Sequence, residues 1–192
     1  MSKLLLRKSW RLFGIIFPLA YYFGNKAIAL IVVFPVLCFF LLIELFRFAI
    51  PVLNKKLLIV FRYYIKETEK KRLISTTTFL FSFVITVLLF RKDIAITAML
   101  FSIFGDATSA IVGIHGKKRI FGKSIEGSLA FLVTCLVIGT LLAFTNIRLA
   151  PGVFILGAFA ATIIELLPIH VDDNLTISLV AGTVMSVISK IL

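Results

Sequence analysis

The chain has 192 residues, which is the length of a single domain. Hydrophobic residues make up 60% of it and its mean hydropathy is +1.11, which excludes an ordinary soluble protein with about half of its residues apolar. The net charge of +12 would favour nucleic-acid binding in a soluble protein, but in a membrane protein basic residues mark the cytoplasmic side, so no nucleic-acid partner is expected. We therefore expect one integral membrane domain over residues 1–192.

Apolar runs recur along the chain and predict an all-α, polytopic transmembrane bundle of about seven spans. A spanning helix needs about 20 residues, with a range of about 17–25, and the last six runs qualify. The first run is short and contains Pro18, so we expect it to be tilted, extended by Trp10, or only partly inserted. In chain order the runs are Leu12–Phe23, Ala27–Phe46, Leu73–Phe90, Ile94–Ile114, Ser128–Ile147, Leu149–Leu167 and Leu175–Leu192.

The basic residues predict the orientation of these spans. With the N-terminus in the cytoplasm, most of the 21 Lys and Arg residues fall on the cytoplasmic side. All nine acids except Asp93 then fall in or next to the cytoplasmic halves of spans, or in a cytoplasmic loop. Because the orientation rule uses the basic residues alone, this clustering of acids independently indicates one shared polar site on the cytoplasmic side.

The segment 51–72 is too rich in lysine to span a bilayer, and it predicts a cytoplasmic interfacial helix. Lys55, Arg62 and Lys66 recur at helical spacing. Leu57 and Phe61 fall largely on the other side of such a helix, as in amphipathic helices that lie in the membrane surface. The alternative is a plain charged connector.

Asp106 lies near the middle of an apolar run, where an acid costs at least about 2.5–3.5 kcal/mol. Such an acid is tolerated when it faces a wet cavity, a cation or a partner. Small residues surround it, and they allow a helix or a ligand to approach closely. One helical face carries, by its spacing, Asp106, Ala110, Gly113 and Lys117. The spacing therefore predicts a functional face, and the alternative is a structural Asp paired with a buried cation.

A basic loop with two glycines follows this run and leads into the next helix. Gly116 and Gly122 permit turns that bring backbone donors near an anion, and a helix N-terminus favours phosphate. We expect phosphate contacts from Lys117 and Lys123, whereas Lys118 and Arg119 are interpreted as ordinary positive-inside residues. The other candidates for nucleotide or phosphate binding in this region are Gly113, Gly116, Ser124, Gly127 and Ser128. No GxxxxGK[ST] pattern occurs, which excludes a soluble P-loop fold.

The approach to the last run carries three acids, Glu165, Asp172 and Asp173. Mg²⁺ is usually held by one or two carboxylates together with substrate phosphates, rather than by a protein cage. These acids, opposite Asp106, are therefore candidate ligands for one or two Mg²⁺ ions. Helix N-capping is the alternative for Asp173 and Asn174, and it is compatible with a functional role.

Two further features are interpreted as local. Glu44 and Arg47 stand at i and i+3, which favours a local ion pair, and the alternative places them at the rim of the same site. His170 is interpreted as an interfacial residue, since one His without a partner is weak evidence for a metal site.

Three motifs, GDATSAIVGIHGKK, GKSIEGSLAF and IELLPIHVDDN, together with an earlier ELFR, resemble those of the CTP-dependent lipid-alcohol kinases. This family comprises dolichol kinase, phytol kinase and their prokaryotic relatives, and it is similar in turn to phosphatidate cytidylyltransferase. The resemblance covers most of the chain from Glu44 onward and depends on the three motifs together. Cytidylyltransferases look like they carry a Ser-Pro-Lys-Lys-Thr type of segment before Glu-Gly. This chain has FGKSIEGS instead, which favours a kinase.

The resemblance implies a multi-pass enzyme of a prokaryotic plasma membrane, with its N-terminus and active site in the cytoplasm. It would use Mg²⁺ and move the γ-phosphoryl of CTP to the hydroxyl of a membrane lipid alcohol: dolichol or another polyprenol, phytol or geranylgeraniol, or a diacylglycerol-like lipid. Neither the lipid nor the oligomeric state is fixed by the sequence. The implied catalytic residues are Asp106, Asp172, Asp173 and Glu126; the implied metal ligands are Asp106, Glu165, Asp172 and Asp173; and the implied phosphate contacts include Lys117, Lys123, Ser124 and Asn174.

Two other functions are compatible with the same residues. A CTP:lipid-phosphate cytidylyltransferase would use the same carboxylates and lysines but would release pyrophosphate. A membrane transporter would need acids along a path across the bilayer, whereas here only Asp93 is expected on the far side.

Overall fold

The computed structural model describes residues 12–60, 72–169 and 172–192. Over these residues the chain forms eight helices and one two-stranded hairpin, so the predicted helical class is confirmed except at the hairpin. A 3-10 turn, Phe13–Ile15, leads into the first helix. The helices are α1 (Ile16–Phe23), α2 (Lys26–Ala49), α3 (Pro51–Val60), α4 (Ser75–Leu89), α5 (Lys92–Gly113), α6 (Ile125–Ala143), α7 (Pro151–Leu166) and α8 (Asp173–Ile188).

Every predicted span overlaps an apolar helix, but the helices differ in length. Three of them, α2, α5 and α6, are long and apolar enough to cross a membrane. The other four apolar helices, α1 with its leading turn, α4, α7 and α8, have 10–17 residues. The described residues therefore contain three candidate membrane spans, and a bundle of seven spans remains a prediction.

Helix α5 is the central helix of the bundle. Buried residues make up 72% of its apolar window, against 22% in α2 and 28% in α6. A π-helical turn, Phe101–Gly105, interrupts α5 directly before Asp106. Gly105 allows α6 to approach this turn, because a Cβ at that position would lie 2.6 Å from the Phe131 ring. Such π turns change which residues face a neighbour and are frequent at functional sites.

Polar caps move two helix starts ahead of the predicted apolar runs. Helix α6 begins earlier because the Ser124 hydroxyl accepts a hydrogen bond from the Gly127 amide at 3.0 Å. Helix α8 begins at Asp173 because the Asp172 carboxylate accepts one from the Asn174 amide at 3.1 Å. The capping alternative for Asp173 and Asn174 is therefore corrected: the cap is the preceding residue, Asp172.

The basic loop folds as a hairpin, which the all-α prediction does not include. Strands β1 (Arg119–Ile120) and β2 (Lys123–Ser124) pair antiparallel, with Ile120 opposite Lys123. The two turn residues, Phe121 and Gly122, have φ values of 52° and 85°. Positive φ at both central residues is the pattern of the tight hairpin turns that match strand twist. We call the end of the bundle that carries this hairpin the hairpin end.

The predicted interfacial segment is described only in its first half. Residues Pro51–Val60 form helix α3, on which Lys55 and Lys56 are exposed, while residues 61–71 lie outside the described part of the chain. The helical prediction is confirmed for the described half. Its location in the membrane surface remains a prediction.

Candidate functional site

A polar cavity of about 290 Å³ lies at the hairpin end. Four separate elements line it: the C-terminal half of α5, the hairpin, the end of α7 and the start of α8. Its lining residues are Asp106, Ser109, Ala110, Gly113, Ile114, Arg119, Gly122, Lys123, Ser124, Glu165 and Asp173. The lining thus combines carboxylates with two basic side chains, and we call it the polar cavity below.

Helix α5 supplies one wall of the polar cavity. Asp106, Ala110 and Gly113 lie on the same face and all line the cavity, as their spacing predicts. Asp106 is buried at 5% exposure, directly after the π turn. Lys117 follows the end of the helix at Gly113, is exposed, and does not line the cavity.

Glu165 is a buried carboxylate held by two hydroxyl groups. Ser109 donates to its Oε1 at 2.9 Å and Ser128 donates to its Oε2 at 3.0 Å. Burying a carboxylate is costly unless hydrogen bonds and a cation compensate for the lost water. Ser109 lies on α5 and Ser128 on α6, so these two hydrogen bonds join α5, α6 and α7 at Glu165.

Lys123 is the cation that joins the hairpin to the acids of α7 and α8. Its Nζ donates to Asp173 Oδ2 at 3.0 Å and to the backbone oxygen of Glu165, and it lies 3.8 Å from Glu165 Oε1. An ammonium group has three donors. Two are therefore used in hydrogen bonds within the protein, and the ammonium also lies in ion-pair range of the Glu165 carboxylate.

Asp172 faces away from the polar cavity, so the predicted set of four metal-binding carboxylates is not assembled. Its Oδ2 accepts a hydrogen bond from Ser75 at 2.7 Å, and its Oδ1 accepts from the amide and the side chain of Asn174. Asn174 itself is buried between α4 and α8, where its backbone oxygen accepts from Ser82 at 3.0 Å. Its predicted contact with phosphate is therefore replaced by a structural role.

The donor set of the polar cavity fits a metal ion only in a restricted way. Among the described residues, no group of three or more His, Cys, Asp or Glu side chains is arranged to hold a metal. Glu165 and Asp173 instead share the Lys123 ammonium. Mg²⁺ held by one carboxylate and the phosphates of a substrate does fit, and Asp106 is placed to supply that carboxylate.

Gly116, Gly127 and Glu126 shape the loop beside the cavity and do not line it. Glu126 Oε1 accepts from the amides of Lys117 and Lys118 at 3.0 and 3.3 Å. A Cβ at Gly116 would lie 2.5 Å from Ser124, and one at Gly127 would lie 2.8 Å from the Ser109 oxygen, so both are sites of close packing. Glu126, Gly116 and Gly127 lie outside the cavity lining, as does Ser128, which acts through Glu165.

Arg119 lines the cavity, although its sequence context predicts an ordinary positive-inside residue. The hairpin brings it to the cavity, and its Nη1 donates to the Gly122 oxygen at 3.3 Å. The turn sets Arg119 opposite Ser124, and Gly122 is the part of it that the sequence signals, because a bulky aromatic such as Phe121 is rarely found with positive φ.

Glu44 and Arg47 form a buried pair that organises the start of α4. Arg47 Nε donates to Glu44 Oε2 at 2.8 Å, and Glu44 Oε1 accepts from the Ile74 amide at 2.6 Å. Ser75, which follows, is the residue that holds Asp172. The predicted local ion pair is confirmed, and it also reaches across to a second helix.

The chain is 29% identical over 183 residues to "Uncharacterized protein RP860" of Rickettsia prowazekii (strain Madrid E). This alignment covers 90% of the chain and 88% of the relative, so the similarity extends over nearly the full length of both. The relative's name states no activity. No protein-family model matches the chain, and no solved structure is similar to it.

Proposed function

We propose that the chain is a membrane enzyme that transfers the γ-phosphoryl group of CTP to the hydroxyl of a lipid alcohol. The observation that carries the proposal is the polar cavity, which combines carboxylates with cations at one end of an apolar bundle: Asp106, Glu165, Asp173, Arg119 and Lys123. Phosphoryl transfer depends mainly on positioning and on neutralising charge. A polar cavity at the end of apolar helices supports this function, because a triphosphate is polar and the chain of a lipid is not.

The basic residues of the hairpin would bind the phosphates. Lys123 has one donor beyond those given to Asp173 and the Glu165 backbone oxygen. The guanidinium of Arg119 offers a planar set of donors that suits two oxygens of one phosphate. Glu165 acts through Lys123, because its fixed carboxylate sets the position of the ammonium group.

Asp173 is the carboxylate best placed to accept the hydroxyl proton of the lipid. It lines the polar cavity, whereas Asp172 is occupied by Ser75 and Asn174. As the proton moves to Asp173, the lipid oxygen forms a bond to the γ-phosphorus, the bond to the bridging oxygen breaks, and CDP leaves. The products are a lipid phosphate and CDP.

Asp106 would hold the Mg²⁺ that accompanies the triphosphate. When bound there, Mg²⁺ would neutralise part of the charge of the triphosphate. Its other ligands would be phosphate oxygens, as is usual for Mg²⁺ in nucleotide sites.

The test uses the purified full chain in detergent, with geranylgeraniol and other lipid alcohols as acceptors and CTP labelled at the γ- or the α-phosphate. We expect γ-label in the lipid; α-label in the lipid would identify a cytidylyltransferase instead. Asp106→Asn should lose turnover while still inserting into membranes, and Asp93→Asn, at the opposite end of α5, is its matched control. Normal turnover by Asp106→Asn would remove Asp106 from the mechanism. Absence of label in every lipid would contradict the proposed enzymatic activity.

We further propose that the hairpin end faces the cytoplasm of a prokaryotic cell and that all seven apolar helices lie within the plasma membrane. The exposed Lys117 and Lys118 at this end support that orientation. Lys118→Cys and, on the opposite end, Arg91→Cys test it with a membrane-impermeant maleimide added to intact cells, each variant being made after Cys38→Ser and Cys135→Ala remove the two native thiols. Only the cysteine at position 91 should react, and reaction at position 118 alone would reverse the orientation.

A further inference from the structure

A second cavity, of about 400 Å³, lies between α1, α2 and α4, away from the polar cavity. Its lining is apolar apart from Thr76, the one residue with a side-chain hydroxyl among those that line it in the described part of the chain. Ligand cavities in proteins measure about 300–1,000 Å³ and are lined mainly by apolar groups. We call it the apolar cavity.

The apolar cavity opens towards the outside of the bundle. Ile16 and Val36 border it and are 58% and 38% exposed, whereas Phe79 and Leu80 form its floor at 4% and 3%. Ile16 and Val36 belong to helices α1 and α2, and most of the outer face of α2 is apolar and unburied. In a membrane protein such a mouth meets lipid chains rather than water.

A short chain of contacts connects the two cavities. Thr76 lines the apolar cavity and directly follows Ser75, whose hydroxyl donates to Asp172 at 2.7 Å. Asp172 directly precedes Asp173, which lines the polar cavity. Thr76 is thus the sequence neighbour of Ser75, whose hydroxyl holds Asp172, the cap of α8.

We infer that the apolar cavity binds the hydrocarbon chain of the lipid alcohol, with the hydroxyl end of that lipid directed towards Thr76. The inference rests on the proposed function, because the lipid alcohol is the substrate named there. An apolar chain gains free energy when it is removed from water, but it gains little on moving from the bilayer into an apolar cavity of the protein. The cavity therefore acts mainly by positioning: it selects a chain that fits and brings the hydroxyl to the side of the bundle where Asp172 and Asp173 lie.

The floor of the apolar cavity is built from packed aromatic rings, which suits a positioning role. Phe79 and Phe83 pack at a tilt with ring centroids 4.4 Å apart, and Phe17 meets Phe83 edge-on at 5.6 Å. A Cβ at Gly14 would lie 2.5 Å from the Phe79 ring, so the glycine allows the start of α1 to close on this floor. These ring contacts hold the floor in one arrangement.

The experiment labels the full chain in detergent with a diazirine analogue of geranylgeraniol and locates the label by mass spectrometry. Label should fall on residues of the apolar cavity and decrease when unmodified geranylgeraniol is added. Val36→Trp fills the mouth and should reduce labelling at least tenfold. The matched control is Ile31→Trp on the same helix, at an exposed position outside the cavity lining, and it should label normally. Thermal unfolding shows whether both variants fold.

Kinetics separate this inference from the proposed function. Val36→Trp should raise the KM for the lipid alcohol at least fivefold while leaving the KM for CTP unchanged. The inference would be overturned if folded Val36→Trp showed unchanged labelling and an unchanged KM for the lipid. It would also be overturned if label spread over the outer surface without reaching the cavity lining. Specific labelling without phosphoryl transfer would instead overturn the proposed function and leave the lipid site in place.

Discussion

The two ends of the bundle each carry an ion pair between an arginine and a nearby acid, and the two pairs differ in burial. At the hairpin end, the side chains of Arg47 and Glu44 are 0% and 3% exposed; at the opposite end, those of Arg91 and Asp93 are 68% and 14% exposed. Both pairs have a hydrogen bond of 2.8 Å. The same kind of ion pair therefore occurs in a buried and in an exposed environment. We expect burial to decide how much each pair contributes to stability.

The difference extends to what surrounds each pair. Glu44 also accepts from the Ile74 amide and Thr77, so removing its cation would affect the start of α4. At the opposite end, each of two lysines makes one hydrogen bond to a backbone oxygen near a helix end. Lys26 donates to the Leu88 oxygen at 2.9 Å, and Lys92 donates to the Gly24 oxygen at 2.7 Å. The hairpin end is a connected polar framework, whereas the opposite end consists of separate surface contacts.

The largest effect is expected from Arg47→Met. It would leave Glu44 buried without its guanidinium, and breaking a buried pair costs about 3–5 kcal/mol. Unfolding in a series of SDS fractions should show this loss. The control is the double variant Glu44→Gln with Arg47→Met, which removes both charges, keeps an oxygen that accepts from the Ile74 amide, and should recover most of the stability. A single variant as stable as the unmodified protein would show that burial does not set the strength of this pair.

The second-largest effect is expected on the rate of phosphoryl transfer, from a substitution at the hairpin end. Lys123→Ala removes the cation shared by Glu165 and Asp173, and the transfer rate should fall by about 10²–10³-fold, the loss usual when a group that stabilises transition-state charge is deleted. Lys118→Ala, next to the hairpin but outside the cavity lining, is the control and should retain activity. Equal losses in both variants would indicate a general effect of positive charge on the membrane surface.

The placement of the central acid could be predicted from the sequence because helical periodicity determines it. Asp106, Ala110 and Gly113 line the cavity together, as spacing along one helix requires. The approach of Glu165 and Asp173 to the same cavity follows from the orientation rule, which places the acids at one end. Periodicity does not determine where a side chain points at the end of a helix. The predictions for residues at helix ends are the ones that fail.

Asp172 and Arg119 show why those predictions fail. Two adjacent acids at a helix start compete for the cap, and Asp172 takes it, which turns its carboxylate towards Ser75 rather than the cavity. Arg119 reaches the cavity because Phe121 and Gly122 adopt positive φ and reverse the chain. A bulky aromatic is rarely found with positive φ, so residue propensities do not predict a turn at Phe121.

A smaller effect is expected at that turn. Phe121→Asn would create Asn-Gly, the pair preferred where both turn residues have positive φ, and should stabilise the hairpin by about 0.5–1 kcal/mol. Slower hydrogen exchange of the hairpin amides would measure the gain. Phe144→Asn is the control, because Phe144 is also highly exposed but has an ordinary φ of −84°. Faster exchange in Phe121→Asn would mean that the aromatic ring itself stabilises the hairpin.

The smallest effect is expected from Asp93→Asn at the opposite end. An exposed ion pair is worth about 0–1 kcal/mol, and asparagine retains an oxygen able to accept from the Ile94 amide as Asp93 does at 2.9 Å. The loss should therefore stay below about 0.5 kcal/mol and disappear at 1 M salt, where exposed charges are screened. The deficit of Arg47→Met should persist at that salt concentration, because buried charges are screened much less. If instead both variants lost similar stability, or both recovered in salt, the two ends would be equivalent electrostatically, and burial could not be what makes the hairpin end a fixed framework for the polar cavity.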